Sequence, residues 1–567
     1  MVAGKVVTIG GASAFWGDTR AAAAQLVTSG RLNYLVFDFL AETTMALLAM
    51  MKAKNPALGY APDFIKIMAP LLKDCQTQGI RVIANAGGLN PEACAAELRK
   101  IIDTQGLNLT VGIDPSEDLL DPESPNHGAL PRPDLLCAHP YHGAQGINRV
   151  LHEGAHIVVT GRVVDSALAL GPLLYEFGWQ DDDYDRLAQG SLAGHIIECG
   201  AQCTGGNHTD WLEIPKPEDI GFPFVECHEN GDFVVTKPAD TGGQVTPGTV
   251  SEQILYEIGD PTAYQLPDVT CDFSHVILDE DGPDRLWVRG ALGNAPPPTL
   301  KACGYGKAGY RVAAPFVMRG HQAGLKGRKV AESILARVNR LLLASGQNPI
   351  QEHRIEILGD GPESTEVVVR MGVGHDSKEA LQFFADEIAQ ASTGMAPGMV
   401  QVVPGKPKVQ PRLELETFPI PNPHFRASGP GATKPRRATI PKIERATSSV
   451  VRPVPLSRIA FARSGDKGRD ANVGVICRYP QDWAALGEVL TAARVGEYLA
   501  ELWSKGDPHV ERHELPGLHA FNFVLKDALE GGGFYGLQAD AQGKAVAQKL
   551  LMMNVDLPIQ GELYADH

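Results

Sequence analysis

Short runs of β-branched and aromatic residues alternate, over the first 180 positions, with longer stretches whose apolar residues recur every three or four places. Residues 5–9, 34–38, 81–85, 109–114 and 156–160 have the length and composition of strands, and residues 18–27, 41–54, 91–104, 143–153 and 165–177 those of helices. This alternation predicts an α/β domain over residues 1–260, a mainly parallel sheet with helices on both faces. A different order follows. Strands at 269–292, a helical period over 326–345, strands at 354–358 and 365–373 and a helix at 378–390 predict an α+β middle domain over 261–417. Strand patterns at 456–463, 472–478, 509–515 and 519–527, with helical ones at 482–503 and 541–551, predict a small α/β sandwich over 457–567. Residues 418–456 between them repeat prolines and carry Arg426, Lys434, Arg436, Arg437, Lys442 and Arg445 against Glu444, a basic, proline-rich linker.

The carboxyl ends of the first strands hold most of the candidate chemistry, because ligands of open parallel sheets bind outside those ends. Gly10 and Gly11, followed by Ser13, Trp16 and Asp18, form a glycine turn into a helix whose N–H groups can face an anion. Its spacing is not G-x-G-x-x-G, which argues against a nicotinamide dinucleotide. Asp38, Asn85 with Gly87 and Gly88, Asp114, and the turn Thr160, Gly161, Arg162 to Asp165 end the other strands. Each Asp or Asn alone fits a helix cap. Taken together they predict a polar crevice for a small anionic metabolite.

Further along, His139 and His142 flank Tyr141, a group suited to proton transfer, to metal ligation or to a fixed turn. His195, Glu198, Cys199, Cys203, Gly205, Gly206, Asn207 and His208 form a dense polar cluster. A zinc site of His195, Cys199, Cys203 and His208 is the weaker reading beside a glycine turn flanked by Asn207 and His208, so no metal is expected. Lys237, Thr241 and Gly242 precede another helix and offer an anion site or a surface loop. The stretch from Lys301 to Arg311 interleaves cationic residues with tyrosines and glycines, as a pocket lining or an exposed turn. In the last domain Arg463, Ser464, Asp466, Lys467 and Asn472 could orient an anionic substrate or close a salt-bridged hairpin.

Composition narrows these readings. A formal charge of −16 on 567 residues argues against nucleic acid or an anionic membrane as the main partner, without excluding an anion in a local basic pocket. The nine cysteines form no C-x-x-C pair, which suits a reducing compartment. No run approaches the roughly 20 apolar residues of a membrane span, and no secretory signal pattern is present, so a cytoplasmic protein is expected. Homo-oligomerisation is expected of a metabolic protein of this kind.

The segments IGGASAFWGDT, YLVFDFLAETTMALL, IANAGG, VVTGRVVDSALALGPL and ECGAQCTGGN resemble the acyclic terpene utilisation (AtuA) family. RIAFARSGDKGRDANVGVICR and LHAFNFVLKDALEGGG resemble that family's small C-terminal domain of ferredoxin-like fold. The resemblance implies a place in the catabolism of citronellol- and geraniol-type branched acids through CoA thioesters. It assigns no catalytic residue, so roles come from side-chain chemistry. The expectation is a lyase or hydratase acting on a branched hydroxyacid or its CoA thioester, with Glu198 or His208 as base and Asp18, His139 and Asp165 as further acid–base candidates. Gly10, Gly11, Gly205 and Gly206 would then cradle an oxyanion or phosphate. The alternative is a non-catalytic acyl-CoA-binding or assembly subunit; a nicotinamide oxidoreductase is a third, weaker idea. No cofactor is expected beyond CoA as part of a substrate.

Overall fold

In the computed structural model of the chain, which describes residues 4–115, 117–425 and 451–558, five short strands run parallel: Val6–Gly11, Tyr34–Phe37, Arg81–Ala84, Ile157–Thr160 and Val111–Asp114. Their residues are apolar on both sides of the pleat, which is what a parallel sheet covered on two faces requires. Tyr34 and Val36 enter one core with Ile147, Leu170 and Ile196. Leu35 and Phe37 enter the other with Leu26, Leu48, Phe64 and Leu98.

Four further strands extend the sheet in antiparallel fashion: Phe224–His228 beside Val6–Gly11, then Phe233–Thr236, Leu286–Arg289 and Ile277–Glu280. The result is a mixed sheet of nine strands. Residues 277–289, which the pattern assigns to the middle region, form its edge. Helix starts follow local chemistry: Asn90 accepts from Ala93 N at 3.3 Å ahead of Pro91–Thr104, and Thr246 with Thr249 forms a capping box on Pro247–Ile254.

The chain divides into two packed units. The first comprises Met1–Gly304, Thr417–Ala528 and Gly543–His567, so the boundary expected at 260 falls inside it. Its C-terminal portion is a four-stranded antiparallel sheet in the order Ala460–Lys467, Asp470–Cys477, Ala520–Leu525, Val510–Leu515. Ile476, Leu515 and Ala520 of this sheet share a core with Ile254, Leu255 and Ile258. Buried polar bonds fasten the same contact. Arg463 Nη2 donates to Glu252 Oε2 at 2.7 Å, and Glu252 also accepts from Thr209 Oγ1 at 2.6 Å. Asn472 Nδ2 donates to Leu255 O at 2.6 Å, and Asn522 Nδ2 to Gly259 O at 2.6 Å.

The second unit comprises Tyr305–Glu416 and Leu529–Gln542. Helices Ala323–Ala344 and Lys378–Gly394 cover an antiparallel sheet that includes Glu352–Leu358 and Glu366–His375, around Phe316, Met318, Ile334, Val338, Phe384 and Ile388. Arg311 Nη1 donates to Gly533 O at 2.8 Å, Arg370 Nη1 to Leu537 O at 2.6 Å and Arg412 Nε to Tyr535 O at 2.8 Å, binding the 529–542 segment to this sheet. Residues 301–311 lie within one 21-residue strand, Thr299–Arg319, rather than in a turn. Of the linker expected over 418–456, residues 418–421 end strand Gln410–Pro421 and residues 451–455 form strand Val451–Pro455, while the basic residues 426–445 lie outside the described residues.

Candidate active site

Phe37 is paired with Ala84 and Ala84 with Val159, so the residues that follow leave the sheet at one edge. Asn85 Nδ2 donates to Asp38 Oδ1 at 2.6 Å, and its Oδ1 accepts from Phe39 N at 2.8 Å. Ser13 Oγ donates to Asp38 O at 2.9 Å. Beyond the third strand end, Arg162 Nη1 donates to Asp165 Oδ1 and to Leu40 O, both at 2.6 Å. Burial, and then the Asp165 charge, hold the Asp38 carboxyl well above the usual carboxylate range, against the pull of Arg162.

A second group adjoins the first. Tyr141 OH donates to Glu42 Oε1 at 2.7 Å, and Lys301 Nζ donates to the same oxygen at 3.1 Å. Both Arg162 and Lys301 lie over the Tyr141 ring, at 4.3 and 4.8 Å from its centre. Burial alone would raise Glu42, but Lys301 and Arg162 overcome it and hold the carboxyl well below its ordinary range.

The third group sits at the end of helix Tyr184–Glu198. His195 Nδ1 and Glu198 Oε1 are 3.0 Å apart, and His195 Nε2 lies 3.2 Å from Ile254 O. Burial pushes Glu198 up to about 7; Asp165 and Glu257 add to the rise, and His195 opposes it. Tyr264, whose ring is 6.3 Å from that of His195, leads to the C-terminal sheet: Lys467 Nζ donates to Tyr264 OH at 3.5 Å. Lys544 Nζ donates to Glu257 Oε1 at 2.8 Å and to Tyr256 OH, and lies 3.4 Å from Asp466 Oδ1. Burial, and then Glu257, push Asp466 up to about 7 against Lys544. The same burial raises Cys199, so its thiol stays protonated and is no nucleophile at neutral pH.

These groups form one charged recess in the first unit. Asp38, Asn85, His139 and Arg162 are buried, whereas Glu42, Asp165 and Lys301 keep 25, 33 and 37% of their side-chain surface open. Charge acts across the set, since Glu198 feels Asp165 and Glu257, Lys301 feels Lys467, and Asp466 feels Glu42. Cationic Arg162, Lys301 and Lys467 suit an anionic ligand, and the acids near pH 7 suit proton transfer.

Of the residues singled out in the sequence, Ser13, Asp38, Asn85, His139, Arg162, Asp165, Glu198, Asp466 and Lys467 come together here. The others have different surroundings. Gly11 N donates to Pro223 O at 3.0 Å, and Asp18 Oδ2 accepts from Ala14 N at 2.9 Å, closing the turn on itself. A Cβ on Gly11 would lie 2.3 Å from Ile197 O, so this glycine lets the helix bearing Glu198 approach the sheet. Trp16 Nε1 donates to Asp63 Oδ2 at 2.8 Å, and a Cβ on Gly87 would lie 2.5 Å from Thr160 O. Gly88 abuts Leu48, Thr160 Oγ1 donates to Gly161 O at 2.9 Å, and Gly161 N bonds Asp114 O at 3.2 Å.

The glycine turn after Glu198 faces the C-terminal sheet. Gly206 O accepts from Arg463 Nη2 at 2.8 Å, Gly205 has φ of 108° against Ile214, and Asn207 pairs with Gln202. His208 stacks on Phe461 with Nδ1 3.2 Å from Glu252 Oε2. Ser464 Oγ accepts from Ala547 N at 2.9 Å, and Asn472 is part of the fastening described above. Lys237 Nζ donates to Thr241 O at 3.0 Å and pairs with Asp284 at 3.0 Å, while a Cβ on Gly242 would meet Lys216 O at 2.0 Å. Glu42, Glu257, Tyr264 and Lys544 are members of the recess that sequence reasoning did not single out. Glu42 alone had a signal, its position four residues after Asp38 at a helix start.

Among the described residues, no group of three or more His, Cys, Asp and Glu side chains is arranged to hold a metal ion, and no helix is long and apolar enough to cross a membrane. The family model described as acyclic terpene utilisation family protein AtuA matches residues 7–428, and that of the AtuA ferredoxin-like domain matches residues 454–556. No curated protein matches the chain.

Proposed function

From the premise that the chain belongs to the acyclic terpene utilisation family, we propose that it is a catabolic enzyme of the hydratase or lyase type, acting on a branched 3-hydroxyacid carried as its CoA thioester. The observation that carries this reading is the grouping of Glu198, pushed up to about 7, with cations: Asp38 feels both Glu198 and Arg162, Tyr264 feels both Glu198 and Lys301, and His195 feels both Glu198 and Lys467. A base is most effective when its pKa lies near the working pH. An α-proton is acidic enough to remove only beside a carbonyl, and water can leave by that route only from the β-carbon.

In this reading the Glu198 carboxylate takes the α-proton, and the C–H electron pair moves onto the thioester carbonyl oxygen as an enolate. Collapse of the enolate forms the Cα–Cβ double bond and breaks the Cβ–O bond. The departing oxygen takes the proton back from Glu198, so water leaves and the carboxylate is restored. The cations offset the negative charge of the bound thioester and enolate. His195 holds Glu198 in orientation from one side. His208 is less accessible to a substrate, buried between Phe461 and Glu252.

The test is incubation of the purified protein with branched 3-hydroxyacyl-CoA thioesters, following the enoyl product by mass. Turnover that falls at least about 100-fold in Glu198→Gln supports the reading. Tight binding without turnover replaces it with a non-catalytic acyl-CoA-binding subunit.

A further inference from the structure

Strand Leu135–Pro140 carries His139 into the buried part of the recess, where the residue is 1% exposed and, among the described residues, neither ring nitrogen has a hydrogen-bond partner. Buried polar atoms in native folds are almost always satisfied, so an exception of this kind marks a place that a ligand or water completes. The ring centre lies 6.3 Å from that of Tyr141, the residue bracketed by Arg162 and Lys301. The charged and titratable groups acting on it are Arg162, Glu42, Lys301 and His142. Burial first, and then Arg162, lower its pKa to about 3, so the imidazole is neutral throughout the physiological range.

A neutral imidazole has one N–H donor and one acceptor nitrogen. It has no second proton to give at neutral pH, so it is neither the acid nor the base of the reaction. It is suited to donating a hydrogen bond, without transfer, to an oxygen on which negative charge gathers. We propose that His139 donates such a bond to the thioester carbonyl oxygen of the substrate, polarising it while Glu198 takes the α-proton. The assignment rests on the thioester reading given above. No proton moves to or from His139 in the step; the proton and electron pair follow the path already described.

The test compares wild type with His139→Leu, which removes the donor, and His139→Gln, which can restore one. With a thioester that the wild type turns over, kcat of His139→Leu falls about 100-fold or more while KM stays within about threefold, and His139→Gln recovers about tenfold. The limb of the kcat/KM pH profile near 7 stays in place in His139→Gln, because Glu198 produces it. Wild-type kcat in His139→Leu, a loss confined to KM, or displacement of that limb in His139→Gln overturns the assignment alone. If thermal unfolding reveals that His139→Leu does not fold, His139→Gln decides, since a wild-type kcat or a displaced limb in that variant overturns it. A wild type inert toward every thioester fails earlier, and takes both the thioester reading and the assignment with it.

Discussion

Glu198 and Asp466 are both carboxyls that the fold keeps near neutral pKa, from the large sheet's helix layer and from the C-terminal sheet respectively. For Glu198 the consequence is kinetic. Activity should rise as the group deprotonates through about pH 7, and Glu198→Gln should abolish that limb along with most of the rate. For Asp466 it is thermodynamic. A carboxyl whose folded pKa is raised contributes stability below its unfolded value near 4 and loses it as pH climbs to about 7. Asp466→Asn should therefore raise Tm by about 2 °C at pH 8 and leave it unchanged at pH 4 in scanning calorimetry. Equal Tm values at pH 8 would show that Lys544 neutralises Asp466 fully.

At the scale of elements, two contacts hold the recess in shape. The first is the approach of helix Tyr184–Glu198 to strand Val6–Gly11 over Gly11. Gly11→Ala pushes a methyl to within 2.3 Å of Ile197 O, a backbone atom that cannot rotate away. It should cost about 1–3 kcal/mol in denaturant unfolding and lower kcat by displacing Glu198. Gly10→Ala meets only side-chain ends, of Leu32 at 3.0 Å and Leu26 at 3.3 Å, and should cost less. The second contact is the Arg463 bond to Glu252, whose side chains are 4% and 0% exposed. Arg463→Ala leaves a buried carboxylate facing His208 and Thr209, with an expected loss of about 3–5 kcal/mol in urea unfolding.

The elements most legible in the sequence were those with local signals. Helix Pro91–Thr104 matches its expected bounds because Asn90 caps it and Pro91 occupies its first turn. Strand Tyr34–Phe37 matches within a residue because it is apolar throughout. Phe224–His228 and Phe233–Thr236 were not read as strands; Glu226 and His228 interrupt the apolar pattern of the first. The glycines of Thr299–Arg319 imitate a turn, yet Gly304 and Gly309 sit where Cβ atoms would meet Cys137 O at 3.0 Å and His375 O at 2.7 Å, so close packing selects them. The grouping of Asp38, Asn85 and Arg162 was readable because they end adjacent strands. Glu257 and Lys544 were not, since only tertiary packing brings them to Asp466.

At the scale of the molecule, the C-terminal sheet of the first unit closes a core and supplies Asp466 and Lys467 to the recess, and the turn before helix Val546–Leu550 adds Lys544. The two family segments meet here, Lys544 of the second pairing with Glu257 of the first at 2.8 Å. Hydration of a branched enoyl-CoA in D2O, read by mass spectrometry, tests most directly whether Glu198 moves the α-proton of a thioester bound there. The wild type should place one non-exchangeable deuterium on the α-carbon, and Glu198→Gln should do so at least about 100-fold more slowly. Absence of α-deuterium in the wild-type product, or equal rates in the two proteins, would contradict it.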